Sequence, residues 1–143
     1  MTIAALVTWL ITAAGGFYML GTWITRGGAR GGTSRLPVPV VFGHFALAAA
    51  GLVVWIIYLL ADAQALAWTA LVLLVPVALL GFVMFFRWLA VTRAPAVRTA
   101  GGAPGSAQAA KAPERAFPVP VVLGHGLFAV ATLLLVILAA LQA

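Results

Sequence analysis

Polar positions in this chain are confined to a few short intervals, with long apolar runs between them. Residues 1–25 contain no Asp, Glu, Lys or Arg, and neither do 36–61, 63–86 and 116–143. Each run is long enough for the ~20 residues that a helix needs to cross a hydrocarbon core ~30 Å thick. In lipid a helix satisfies its own backbone hydrogen bonds, which no open-ended alternative does. The pattern predicts an all-α four-helix transmembrane bundle, with helices at about 3–25, 40–61, 65–88 and 119–141 of a single domain.

Composition agrees with the pattern. The chain is 65% hydrophobic and 7% charged, against about 45–50% and about 25% for soluble globular proteins. The lipid bilayer is therefore the expected solvent for much of it. The first apolar run lacks a basic n-region and is longer than a typical signal-peptide core, so it is expected to be retained. Cysteine is absent, which excludes disulfides, iron–sulfur clusters, thiolate zinc sites and c-type haem attachment.

The charges set an expected orientation. All eight basic residues (Arg26, Arg30, Arg35, Arg87, Arg93, Arg98, Lys111 and Arg115) lie in or beside the loops joining helices 1–2 and 3–4. The turn between helices 2 and 3 offers only Asp62, and neither terminus carries a charged side chain. The positive-inside rule places loops 26–37 and 89–117 in the cytoplasm and both termini outside. The net charge of +6 is thus a topology signal. Loops this short and rich in Gly and Ala supply no base-reading surface, so no nucleic-acid partner is expected.

The chain also repeats itself. Residues 36–44 read LPVPVVFGH and 117–125 read FPVPVVLGH, identical at seven of nine positions. Residues 16–23, GFYMLGTW, share Gly, Phe, Met and Trp with 81–88, GFVMFFRW. Two copies of one helical hairpin, starting on the same side, are parallel repeats about an axis along the membrane normal. They differ mainly in their basic loop. Residues from about 94 to 116 of the second are Gly, Ala and Pro rich without apolar periodicity, and are expected to be a flexible linker.

His44 and His125, the only histidines, close the two repeated motifs. Each lies five residues after the second proline, ~7–8 Å into its helix at 1.5 Å per residue. In an up-down-up-down bundle, helices 2 and 4 are parallel and diagonal, so the imidazoles are expected at equal depth, facing each other. Gly43 and Gly124 flank them. Ala48 and Gly51 follow His44 on its helical face, and Ala129 and Thr132 follow His125. Two stripes of small residues leave a slot suited to a flat macrocycle. A bare zinc ion wants four ligands, or three and a water, whereas a porphyrin needs only two axial ones. The expected cofactor is one haem b, with His44 and His125 as axial ligands. Arg35 and Arg115, in a rim that includes Arg26 and Arg87, are expected propionate contacts. The competing reading is structural: a histidine near a helix end that bonds across helices or anchors at the interface, inherited by both copies.

With Gly43-His44 and Gly124-His125 on bundle helices, the chain resembles small four-helix membrane cytochromes b. Those families commonly hold two haems with four histidines, so the resemblance implies at most one haem here. The composition also resembles that of actinobacterial integral membrane proteins, which implies a bacterial cell membrane and no particular activity. The expected function is electron transfer with quinone or a membrane redox partner. The alternatives are an accessory subunit of a larger membrane complex or a homodimer, and a small transporter or channel. Ser34 and Ser106 are the only serines, both in loops without an acid–base partner nearby in sequence, so no hydrolase or transferase site is expected.

Overall fold

A computed structural model describes residues 1–30, 32–93 and 111–142. The four charge-poor runs become helices α1 (Thr2–Thr25), α2 (Val38–Ala61), α3 (Gln64–Arg93) and α4 (Val119–Gln142), with no strand among the described residues. Each is long and apolar enough to cross a membrane, and the outward faces carry residues such as Phe17, Val72, Phe86 and Leu127. That exterior suits a bilayer.

The helix ends follow local chemistry. α2 starts from Pro37 in an extended conformation, with Pro39 in its first turn, where a missing N–H costs no helical bond. Asp62 ends α2 in the left-handed region at φ 49°, its N–H returning to the Tyr58 carbonyl at 2.9 Å. Only Asp62 and Ala63 separate α2 from α3, so those helices pack antiparallel. α3 runs past its expected end at 88 to Arg93. A charge does not stop a helix leaving lipid, and the next breaker in sequence is Pro95. Pro76 sits inside α3 without dividing it.

The closest neighbours are not the hairpins of the sequence repeat. α2 packs closely along α3 and α1 along α4, whereas α1 with α2 and α3 with α4 touch more sparsely. The bundle is therefore two tight pairs, α1/α4 and α2/α3, each with one helix from each copy. The termini and the Asp62 turn share one end, where Met1, Thr2, Tyr58, Asp62 and Gln142 line a common cleft. The described parts of the two basic loops, residues 26–30, 32–37 and 111–118, occupy the other end.

The buried core is split. One cluster, towards the termini, includes Ala5, Trp9, Trp55, Tyr58, Leu74, Val77 and Val136. The other, at the basic end, contains Trp23, Leu36, Val41, Trp88, Phe117 and Val122, with Met19 and Met84 against it. Trp23 and Trp88 fall at the helix ends where an aromatic belt would lie, yet they are 1% and 5% exposed. They plug the bundle, because the loops fold over that end. Trp68, at the opposite end, is 42% exposed and fits a belt position.

The expected flexible linker, about 94–116, is packed at its C-terminal end. Residues 94–110 lie outside the described residues, but 113–116 form a 3-10 turn packed on α1 and α3. Glu114 in that turn is fully buried. Its carboxylate accepts hydrogen bonds from the Ser34 hydroxyl at 3.2 Å and from the Arg35 backbone N–H. Ser34 in turn accepts from Trp23 Nε1–H at 2.8 Å, and Arg87 donates to the Arg35 carbonyl at 3.0 Å. The two basic loops are thus clasped together.

Candidate functional site

Between the two core clusters lies a layer made of the histidines and the glycines opposite them. The His44 and His125 rings face each other with centroids 6.3 Å apart and planes inclined at 51°. They come from diagonal helices, one from each tight pair. Both residues are only half-buried, although they stand between two buried clusters.

Each ring is fixed by the other helix of its own pair. His44 Nδ1 lies 2.9 Å from the Val77 carbonyl oxygen of α3, and His125 Nδ1 lies 2.8 Å from the Thr12 carbonyl oxygen of α1. A carbonyl only accepts, so Nδ1 carries the proton and the neutral ring keeps its lone pair on Nε2. The ring edges also lie on glycine. A Cβ built on Gly81 would come 3.4 Å from His44 Cε1, and one on Gly16 would come 3.2 Å from His125 Cε1. Val77 and Gly81 are the repeat counterparts of Thr12 and Gly16, so the duplication copies these two parts of the seat; Gly15, where a Cβ would stand 3.5 Å from His125 Cβ, has Leu80 as its counterpart. With the Nδ1–Cε1 edge against its neighbour, each ring turns its remaining edge away from that helix. Neither Nε2 has a hydrogen-bond partner among the described residues, and the only sealed, partnerless side-chain nitrogen or oxygen there is Trp88 Nε1.

The other expected site residues divide. Ala48 and Ala129, one turn beyond the histidines, are half-buried. Gly51 is buried under Trp9, whose Cζ2 would lie 3.1 Å from a Cβ there. The Thr132 hydroxyl meets that of Thr8 at 2.9 Å. Gly51 and Thr132 thus belong to the packed floor above the layer. A Cβ on Gly124 would meet nothing within 4 Å, and one on Gly43 only Leu80 at 3.9 Å. The glycines beside the histidines in sequence are not the ones on which the rings rest. Arg35 and Arg115 lie beyond the Trp23–Leu36–Trp88–Phe117 plug. Arg115 lines an open cleft at the basic end with Arg26 and Lys111.

Sequence reasoning did not assign Thr12, Gly16, Val77 and Gly81. The signal was present, because Gly16 and Gly81 open the shared Gly-Phe-x-Met-x-x-x-Trp pattern. Among the described residues no three His, Asp, Glu or Cys side chains cluster, and the layer itself brings together two of them, His44 and His125. Two imidazoles on opposite sides of one ion, with metal–nitrogen bonds of about 2 Å, have centroids about 6 Å apart. A backbone carbonyl on the remote ring nitrogen is a common way to orient a metal-binding histidine. No known protein family, curated protein or solved structure matches the chain.

Proposed function

We propose that the protein is a membrane b-type haem protein that binds one haem through His44 and His125. The observation that carries the reading is the facing pair itself: rings 6.3 Å apart, each with Nδ1 on a carbonyl of its neighbouring helix and Nε2 left without a hydrogen-bond partner among the described residues. The split core supports it, since the break between clusters falls at the histidines, along the looser interface between the α1/α4 and α2/α3 pairs. A flat group there would be bordered by both helix pairs.

The residues fit haem in their donor set and seating. His44 and His125 would hold the iron, Gly16 and Gly81 would seat the rings, and Ala48 and Ala129 would border the macrocycle. The Trp9–Gly51 floor and the Trp23–Trp88 plug would keep water out. When bound, haem supplies one-electron redox chemistry, with its potential tuned by axial ligands and burial. The role is electron transfer with a quinone or a membrane redox partner in a bacterial cell membrane. The arginine-rich loops are then cytoplasmic and the termini external.

The test is a reduced-minus-oxidised absorption spectrum of the detergent-purified protein expressed with haem supplementation. Sharp α and β bands on dithionite reduction support the reading. Protein that stays colourless overturns it and leaves the accessory-subunit and transporter readings.

A further inference from the structure

The basic end holds a second feature that is independent of the histidine layer and separated from it by the aromatic plug. Arg26, Lys111 and Arg115 line an open cleft of about 610 Å³, with Ala112, Pro113 and Ala116 between them. Arg26 directly follows α1, and the Pro113–Ala116 turn leads into α4. Cations from both ends of the sequence therefore converge on one cavity.

Nothing in the chain can neutralise them all. There are only two acidic residues, and Asp62 sits at the opposite end of the bundle. Glu114 neighbours Arg115, but its two carboxylate oxygens accept from Ser34 and the Arg35 N–H. Even with Glu114 set wholly against Arg115, the cleft keeps an excess of two positive charges. Residues 94–110 contain no Asp or Glu, so that segment brings no counter-charge. The cleft lies where α1 and α4 leave their apolar spans, the depth at which lipid phosphates sit.

We propose that this cleft is a binding site for a phosphate group, with Arg26 and Lys111 as its principal ligands. The phosphate comes either from an anionic lipid headgroup or from a free phosphate compound. Clustered cations at a membrane boundary recognise anionic headgroups through charge and hydrogen-bond donation. The 3-10 turn holds the Lys111 side of the cleft against the bundle.

The test uses the purified full chain in a zwitterionic detergent, titrated calorimetrically. The probes are dihexanoyl phosphatidylglycerol, dihexanoyl phosphatidylcholine and inorganic phosphate. Saturable binding of the glycerol lipid but not the choline lipid is expected, weakening as salt rises. Competition by inorganic phosphate alone assigns the site to a free phosphate, and its absence assigns it to the lipid. An Arg26→Gln/Lys111→Gln variant should bind about thirtyfold more weakly, with unchanged thermal unfolding as the folding control. An Arg30→Gln/Arg93→Gln variant loses the same charge outside the cleft and should bind like the parent. Equal loss in both variants means diffuse attraction and overturns the proposal, as does equal binding of the two lipids or no binding at all.

Discussion

His125 rests on Gly16: a Cβ there would stand 3.2 Å from the ring's Cε1, closer than the 3.4 Å between a Cβ on Gly81 and His44. The two seats are copies with different tolerance. Replacing Gly by Ala inside a helix gains about 1 kcal/mol of propensity. At Gly81 the added methyl reaches ordinary contact, so Gly81→Ala should raise the melting temperature or leave it unchanged. At Gly16 the ring must move by a few tenths of an ångström, which offsets the gain. Gly16→Ala should therefore be the less stable of the two, with the larger change in the absorption spectrum. Thermal unfolding in detergent, followed beside the spectrum, compares them directly.

The two copies of the end-of-helix tryptophan also differ. Trp23 Nε1–H donates to Ser34, while Trp88 Nε1 is buried without a partner. The repeat explains the difference, because the position equivalent to Ser34 in the second copy is Arg115, whose guanidinium cannot accept. Trp23→Phe removes a made bond and should cost about 1 kcal/mol beyond the loss of ring volume. Trp88→Phe loses the same volume but relieves an unpaired buried donor. Thermal unfolding should rank Trp88→Phe above Trp23→Phe, and the reverse order would contradict the pairing.

Glu114 clasps the two loops. Glu114→Ala removes the acceptor of the part-buried Arg35 N–H and of the Ser34 hydroxyl, a cost of about 1 kcal/mol for each bond. The expected result is a lower melting temperature and faster proteolysis at the basic end, with the histidine layer unaffected. An unchanged melting temperature would show that the clasp contributes nothing.

Gly28 is a separate case. A Cβ there would overlap the Trp23 indole, with its nearest atoms Cε2 and Nε1. The indole is a rigid plane already held by the Ser34 bond, so it cannot simply swing aside. Gly28→Ala should open the plug and raise the exposure of Trp23, visible as a red shift in tryptophan fluorescence.

These seats explain how far the sequence could be read. The four spans were legible because hydropathy reports the local solvent, and all four helices appear within a few residues of expectation except the end of α3. The duplication and the diagonal meeting of His44 with His125 were legible too, since both follow from repeat direction and helix order. Which faces turn inward was not. Helices apolar on every side carry little periodicity to mark a buried stripe, so neither the burial of Trp23 and Trp88 nor the seating of the rings on Gly16 and Gly81 was marked. The pairing of α1 with α4 and α2 with α3, across the repeats, depends on side-chain fit that no local pattern encodes. Glu114 read as linker because its partners, Ser34 and Arg35, are about 80 residues away.

The central claim is that His44 and His125 are the two axial ligands of a single haem, and titration of the haem-free protein with haemin tests it most directly. The account predicts saturation at one haem per chain with a low-spin spectrum. His44→Ala and His125→Ala should each bind weakly and give a high-spin spectrum, and the double variant should not bind. Absence of saturable binding by the parent protein, or a low-spin spectrum that survives in both single variants, would contradict it.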